Sequence, residues 1–201
     1  MIKRLIVLSA LAASSVAIAH ADSISGAFSA NGTDSFTTST ITFDSGQVEG
    51  TISGTFATFL TDGNPITFEV GALPYSNGFN VAPPNTTLFT TTEGGETFSY
   101  TITDYTAQYL TGGGCMNGGT CLNATGDGFF TASGPVNGIS GDATFLFTTQ
   151  YAPGQSSPVV TTFSASTSAV AAPTVPEPAS LALFGSGLLG VVGLARRRFT
   201  A

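Results

Sequence analysis

Short runs in which apolar residues alternate with Ser or Thr constrain the fold of this chain more than any other feature of its sequence. The alternation is clearest in Ile66–Val70, Phe98–Ile102 and Ala143–Phe147. A period of two places successive side chains on opposite faces, so each run predicts a β-strand with one buried face. Further strand candidates are Ile24–Ser29, Phe36–Phe43, Val48–Phe59, Thr86–Thr92, Gly128–Ala132 and Val159–Ala165.

Turn-forming dipeptides separate these runs and favour tight hairpins. They are Asn31-Gly32, Asp62-Gly63, Asn77-Gly78, Asn117-Gly118, Asp127-Gly128 and Asn137-Gly138. In Val48–Phe59 the two-residue period breaks, which predicts a bulge or bend. We therefore predict an all-β fold, a single β-sandwich or jelly-roll-like domain. Most of the 16 phenylalanines of the chain lie in this body and can supply its core. A β-solenoid is the alternative, although no fixed repeat is present.

The N-terminal segment has the three parts of a secretory signal peptide. Met1–Arg4 is basic, and Leu5–Ile18 is an apolar stretch of 14 residues. Ala19 and Ala21 then place small residues at a cleavage site before Asp22. We expect residues 1–21 to direct the chain to the Sec translocon and to be removed, so they take no part in the fold.

The C-terminal end combines a proline-containing motif, an apolar run and a basic tail. The motif consists of Val175, Pro176, Glu177, Pro178, Ala179 and Ser180. Residues 179–195 carry no charge. As a helix they would extend about 26 Å, which predicts one short transmembrane helix. Three arginines, Arg196, Arg197 and Arg198, follow as a stop-transfer signal.

This order of motif, apolar run and arginines resembles the PEP-CTERM sorting signal. The resemblance implies that residues 175–201 direct an exported protein to an exosortase, a membrane-embedded cysteine-type processing enzyme. It also implies an association with exopolysaccharide and with biofilm or floc formation in bacteria with outer membranes. The same signal is sometimes labelled the C-terminal domain of ice-binding proteins. A plain C-terminal anchor with a proline-rich neck is the alternative interpretation.

A segment of low complexity precedes this signal. Residues 164–174 consist mainly of Ser, Thr and Ala, with one proline at Pro173, a composition typical of flexible linkers. We therefore expect an all-β extracytoplasmic domain at residues 22–163, a linker at 164–174 and the sorting signal at 175–201.

All positively charged side chains lie in the two terminal segments. They are Lys3, Arg4 and Arg196–Arg198, and the single histidine, His20, lies in the signal peptide. Residues 22–176 contain eleven of the twelve carboxylates, which gives this body a formal side-chain charge of −11. Because basic flanks stay in the cytoplasm, both terminal segments place the body across the inner membrane, in the periplasm. The C-terminal helix would hold it there until processing sends it to the cell surface or the extracellular space.

The charge of the body also limits which classes of ligand it can bind. A body without cationic side chains cannot neutralise phosphates, which excludes nucleic acid and anionic lipid surfaces as ligands. Neutral glycans, and Ca²⁺ as a counterion, are the candidates that this charge leaves. The exopolysaccharide partner is implied by the resemblance to the PEP-CTERM signal alone.

The same composition leaves little for catalysis. Without His or Lys the body lacks the usual general base and cannot form a Schiff base, and two cysteines alone cannot build a zinc site. We predict no catalytic residue, no cofactor and no metal site. Thr61–Asn64 and Thr125–Gly128 lack the alternating carboxylates of calcium loops and are interpreted as turns. A carboxylate pair, as in glycoside hydrolases, is the remaining catalytic arrangement, but the sequence spacing selects no pair.

Cys115 and Cys121 lie close together in a glycine-rich segment. Two nearby cysteines in an exported chain predict a disulfide. Closing so short a loop should stabilise the fold by about 2 kcal/mol. A redox-active pair would need a neighbouring cation to stabilise a thiolate, and the body has none.

These observations predict a non-enzymatic exported protein of the cell surface or extracellular matrix. The alternative is a carbohydrate-binding module with an exposed aromatic face, for which the candidates are Tyr75, Tyr100, Tyr105, Tyr109 and Tyr151. Ice binding is a weaker alternative, because only Thr40-Ile41-Thr42 and Thr101-Ile102-Thr103 supply local Thr-x-Thr pairs.

Overall fold

The computed structural model describes residues 23–83, 85–115, 118–155, 158 and 160–173. Within these ranges the chain forms eleven strands, one helical turn, α1 (Phe56–Phe59), and one 3-10 turn (Gly112–Gly114). The strands are β1 (Ser23–Ile24), β2 (Gly26–Phe36), β3 (Thr40–Glu49), β4 (Pro65–Phe68), β5 (Leu73–Pro74), β6 (Asn80–Val81), β7 (Thr86–Glu93), β8 (Glu96–Thr111), β9 (Thr120–Ser133), β10 (Ile139–Tyr151) and β11 (Val160–Ala171). The all-β prediction is confirmed.

Eight of these strands pair antiparallel in a closed ring. The order of hydrogen-bonded neighbours is β10–β11–β2–β3–β4–β7–β8–β9, and β9 pairs with β10 again. The two-residue strands β1, β5 and β6 add to β10, β3 and β8. The sheet therefore closes on itself around one core, and its opposite walls pack against each other like the layers of a sandwich.

Side-chain alternation in β10 and β11 shows how the sequence pattern builds this wall. On β10, Phe145 and Phe147 are buried while Leu146 and Thr148 are exposed. Burial alternates in the same way from Thr162 to Val170 on β11. Because successive side chains of a strand point to opposite faces, each apolar residue of the pattern reaches the core.

The core consists mainly of phenylalanine rings in contact. Phe43 stacks on Phe68 with ring centroids 4.4 Å apart, and Phe28 meets Phe130 edge-on at 6.1 Å. The gap bordered by Phe28, Phe68 and Phe89 measures about 10 Å³, no more than one water molecule needs. The centre of the ring is therefore packed solid rather than hollow.

Two glycines give these rings their space. Gly32 on β2 and Gly46 on β3 lie directly opposite each other. A Cβ atom at Gly32 would lie 2.7 Å from Cε1 of Phe163 and 2.0 Å from the carbonyl oxygen of Ser45. A Cβ atom at Gly46 would lie 2.9 Å from Cε2 of Phe68. Glycine at these positions lets the aromatic rings lie against the strand backbones.

Two predicted hairpin dipeptides lie inside strands instead. Asn31-Gly32 belongs to β2, and Asp127-Gly128 belongs to β9, so both predictions are wrong, as is the interpretation of Thr125–Gly128 as a turn. A Cβ atom at Gly128 would lie 2.1 Å from the carbonyl oxygen of Thr101, so this glycine permits close strand pairing. Asp62-Gly63 and Asn77-Gly78 do lie in turns, and Asn137-Gly138 lies in the β9–β10 connection. Asn117-Gly118 falls partly outside the described residues.

The predicted linker is the clearest error. Residues 164–171 form most of β11, which pairs with β10 on one side and β2 on the other. Ala165, Thr167 and Ala169 point into the core. Small inward side chains suit this wall because the rings of neighbouring strands occupy the interior. The domain therefore extends to residue 171, and only three residues separate its last strand from Val175.

The predicted strand Val48–Phe59 also ends early. β3 stops at Glu49, and the chain turns into α1. Phe56 of α1 enters one end of the ring, where its ring centroid lies 5.1 Å from that of Phe28 and 4.9 Å from that of Phe130. The broken period therefore marks a bend that leads into a helical turn, as one of the two predicted alternatives required, and not a bulge.

The closed ring has two different ends. The terminal pole is the end that contains α1, Ser23 and Ala172, and there the amide of Ala172 donates to Oγ of Ser23 at 2.6 Å. The tyrosine pole is the opposite end, which contains Tyr75, Tyr109 and Tyr151. The hydroxyls of Tyr109 and Tyr151 lie 3.2 Å apart there.

Candidate functional site

The predicted sorting and cleavage residues lie outside the part of the chain that the structure describes. They are Ala19 and Ala21, the motif Val175, Pro176, Glu177, Pro178, Ala179 and Ser180, and Arg196, Arg197 and Arg198. No helix within the described ranges is long and apolar enough to span a bilayer, and the predicted transmembrane helix at 179–195 falls beyond them. The structure does place Ser23 and Ala172, which lie near the two ends of the described chain, in hydrogen-bond contact at the terminal pole.

A surface groove of about 680 Å³ crosses β8, β9 and β10. Three carboxylates line it, from Asp104, Asp127 and Asp142, together with the apolar side chains of Phe129 and Ile139. Ile139 is 43% exposed. The groove therefore combines hydrogen-bond acceptors with accessible apolar surface.

Irregular strand pairing shapes this groove. The register between β8 and β9 shifts between Ile102 and Asp104, and β10 shifts against β9 between Ile139 and Ala143. Such shifts bend a strand and redirect its side chains. Asp104 comes to lie directly opposite Asp127, and the Thr103 hydroxyl donates to the Asp127 carbonyl oxygen at 3.0 Å.

Sequence spacing did not identify this carboxylate pair, because the two residues belong to different strands and a register shift aligns them. The only local signal is the Thr-Asp dipeptide at the start of the bulge. Across the described residues, no group of three or more His, Cys, Asp or Glu side chains is arranged to hold a metal ion. Binding of Ca²⁺ as a diffuse counterion stays a prediction.

The tyrosines do not form the predicted exposed face. Tyr100 and Tyr105 are 0% and 2% exposed, and Tyr75 and Tyr151 are also buried. Tyr75 donates its hydroxyl to the carbonyl oxygen of Thr37 at 2.5 Å, and burial raises the pKa of Tyr75 to about 12. Tyr75, Tyr105 and Tyr151 close the tyrosine pole of the core, whereas Tyr100 packs further inside against Phe89 and Phe130. Because four of the five candidates are buried, the prediction of a tyrosine platform is wrong. The alternation of Phe98–Ile102 already places Tyr100 on the same strand face as Phe98 and Ile102, and this is the buried face.

Thr101 is also buried, so the Thr101-Ile102-Thr103 segment does not present the exposed pair that ice binding would need.

The predicted disulfide is present at the tip of the β8–β9 hairpin. Cys115 and Cys121 are bonded, with their Cα atoms 5.6 Å apart. Beside them the amide of Gly112 donates to the carbonyl oxygen of Gly119 at 2.9 Å. The bond therefore staples a hairpin end that backbone pairing already defines, which is a structural role.

Two carboxylates lie in the core rather than in the groove. Asp34 on β2 is fully buried, and its Oδ1 accepts hydrogen bonds from the hydroxyls of Thr149 at 2.8 Å and Thr161 at 2.9 Å. Its Oδ2 has no hydrogen-bond partner among the described residues. Burial raises the pKa of Asp34, the two threonine hydrogen bonds oppose that shift, and the charge of Asp44 adds to it.

Glu96 is the second buried acid. Its Oε2 accepts from the amide of Val136 at 2.8 Å, whereas its Oε1 has no partner in the described ranges. Neither acid lines the groove. Asp34 links β2 to Thr149 of β10 and Thr161 of β11, and Glu96 holds the β9–β10 connection at Val136.

Comparison with known proteins finds a matching family for the sorting signal but none for the body. No curated protein and no solved structure matches the chain. Residues 174–198 match the family model of the PEP-CTERM protein-sorting motif. This motif marks an exported protein that is sorted through the membrane, with an exosortase as its processing partner. The chain therefore carries a PEP-CTERM protein-sorting motif, which begins three residues after the last strand of a closed β domain.

Proposed function

We propose that this protein is a non-enzymatic component of the cell surface or extracellular matrix, associated with exopolysaccharide. The PEP-CTERM motif at residues 174–198 carries the proposal. In this scheme the body crosses the inner membrane, stays anchored through residues 179–195 with its domain in the periplasm, and reaches the surface or the medium after processing.

Two features of the body support a structural role. Residues 22–176 lack His, Lys and Arg, so the common general bases and nucleophile activators are missing. The core around Phe28, Phe68 and Phe89 has no room for a ligand. A compact, acidic β domain without these groups suits a protein that fills a hydrated matrix and repels its own copies.

Processing is tested by replacing Pro176, Glu177 and Pro178 together with alanine. We expect this variant to accumulate as a full-length precursor in the inner membrane fraction, because the motif that the exosortase recognises is gone. Pro173→Ala, just before the motif, is the matched control and should be processed normally. Immunoblots of cell fractions and medium measure both. Normal maturation of the triple variant would contradict the proposal.

The groove over β8, β9 and β10 favours a second candidate function, the binding of a neutral glycan. Carboxylate oxygens of Asp104 and Asp127 can accept hydrogen bonds from sugar hydroxyls. The ring of Phe129 can cover an apolar sugar face, as aromatic side chains do in many ligand sites. This groove replaces the tyrosine face as the candidate surface.

Affinity electrophoresis through gels that contain exopolysaccharide tests this second function. Phe129→Ala and Asp127→Asn should remove a retardation that the unaltered protein shows. Leu146→Ala, an exposed apolar position on β10 outside the groove, is the control and should be retarded normally. Equal mobility of all variants would reject the groove as a glycan site, and release of sugars during incubation would contradict the non-enzymatic proposal.

A further inference from the structure

Both ends of the folded body must reach the same membrane in the precursor. The sequence alone does not show whether the fold satisfies this condition. Its two apolar terminal segments, residues 5–18 and 179–195, enter the same membrane with their basic flanks in the cytoplasm. The body is therefore a loop between two membrane anchors until one of them is cut. A folded body can occupy that position only if both of its ends reach the membrane from one side.

The structure brings both ends of the body together at the terminal pole. The amide of Ala172 donates to Oγ of Ser23 at 2.6 Å, although 149 positions separate the two residues in sequence. β1 pairs with the start of β10 at Ile139, and the end of β11 pairs with the next residue, Ser140. The chain therefore enters the domain through β1 and leaves it through β11, and both strands pair with the start of β10.

The lengths of the two tethers make this placement necessary. Ser23 lies five positions after Ile18, and Ala179 lies seven positions after Ala172. At about 3.4 Å per extended residue, they reach roughly 17 Å and 24 Å. A strand as long as β2 extends roughly 35 Å, so neither tether could return from the tyrosine pole to the membrane.

We propose that the body folds in the doubly tethered precursor, before either end is cut, with the terminal pole towards the membrane and the tyrosine pole away from it. This inference rests on the proposed export through both terminal segments. Removal of residues 1–21 and processing by the exosortase then follow folding in the order of reactions, and both cut the chain next to a folded pole.

Two features of the ring favour this order. Closure requires pairing between β2 and β11, for example Ala30 with Ala165, and anchoring both ends in one membrane lowers the entropy cost of closing such a long loop. β1 lies outside the eight-stranded ring. The ring can therefore close before β1 pairs with β10, while Ser23, only two residues after Ala21, is still unpaired.

A precursor that cannot be cut at either end tests the proposal. Ala19→Leu and Ala21→Leu remove the small residues that signal-peptide cleavage needs, and Pro176→Ala, Glu177→Ala and Pro178→Ala remove the sorting motif. Protease is added to spheroplasts, and surviving fragments are identified by mass. We expect a resistant core of residues 23–173 with a half-life within about twofold of that of the mature protein, since proteolysis tracks the population of opened molecules.

The same precursor with Ala165→Asp is the control, because an inward carboxylate on β11 should prevent closure and abolish resistance. Rapid digestion of the uncut precursor, under conditions where the mature protein resists, would overturn the inference. Protection of the full-length chain until detergent is added would instead show that the body was never exported. That result would overturn the proposed function as well.

Discussion

At the scale of residues, Asp34 is a carboxyl group enclosed in a body that has no cationic side chain to pair with it. Two threonine hydroxyls donate to one oxygen, and the other oxygen has no partner among the described residues. Burying an ionised carboxylate without a counter-charge is unfavourable, so its raised pKa follows from its position. The folded state therefore binds this proton more tightly than the unfolded chain does.

The consequence for stability has a definite sign. Below the ordinary Asp pKa of 3.8 the group is protonated in both states and does not oppose folding. As pH rises through the raised pKa of the folded state, the free energy of unfolding falls. We expect Asp34→Asn to raise Tm at neutral pH and to weaken the fall of Tm that begins as pH rises above the ordinary Asp pKa of 3.8. Glu49→Gln, an exposed charge removal on β3, controls for general repulsion. Identical pH profiles for both variants would contradict the assignment to Asp34.

Gly32 tests the packing of rings against the strand backbone. A Cβ atom there would lie 2.0 Å from the Ser45 carbonyl oxygen, a contact that only backbone movement can relieve. We expect Gly32→Ala to lower the free energy of unfolding by roughly 1–3 kcal/mol. Gly71→Ala, where no atom lies within 4 Å of the added Cβ, should change it by less than about 0.5 kcal/mol. Urea denaturation measures both, and equal effects would refute the packing role.

At the scale of elements, β11 closes the ring although its composition is typical of a linker. Its inward residues after Phe163 are Ala165, Thr167 and Ala169. These side chains bury little area, so backbone pairing with β10 and β2 and contact with neighbouring rings hold the strand in place.

The alternation of β11 gives a matched pair of substitutions. Ala165→Asp would place an unpaired carboxylate in the core and should lower the free energy of unfolding by roughly 3–5 kcal/mol. Ser166→Asp adds the same charge on the exposed face and should change it by about 0.5 kcal/mol or less. Chemical denaturation with a circular dichroism readout distinguishes them. If both variants are equally stable, residues 164–171 form a linker after all.

Local alternation predicted the strands that contain large apolar residues, as in Ala143–Phe147 of β10. It failed where the inward residues are small, as in β11, and where glycine serves packing rather than turning, as at Gly32. The closed ring depends on the β2–β11 and β9–β10 pairings, and hydrophobic periodicity within one segment carries no information on such partners. The groove depends on register shifts, and for that reason Asp104 and Asp127 could not be paired from their spacing.

At the scale of the whole molecule, the body carries eleven carboxylates and no positive side chain. Most of the other acids, unlike Asp34 and Glu96, lie at least partly exposed on the ring and its loops, so their repulsion acts mainly through solvent. The terminal pole gathers both chain ends, which leaves the tyrosine pole and the disulfide at the end away from the tethers.

Screening of this charge should stabilise the isolated body. We expect Tm to rise with NaCl because salt screens the repulsion between the carboxylates. At physiological ionic strength the Debye length is about 8 Å, so carboxylates further apart than this repel each other little. Millimolar Ca²⁺ should raise Tm further than NaCl of equal ionic strength, because a divalent counterion concentrates more strongly near an anionic surface. Calorimetry in the two salts measures both effects. A Tm that neither salt changes would show that the charges are too dispersed to repel.

The central claim is that two terminal sorting segments export a β domain, which is then released from both of them. The most direct test is to measure the intact mass of the natural protein from each cell fraction, without reductant. We predict a surface or extracellular species that begins at Asp22, lacks the apolar run and Arg196–Arg198, and has Cys115 bonded to Cys121. A cytosolic chain with both ends intact would contradict the account.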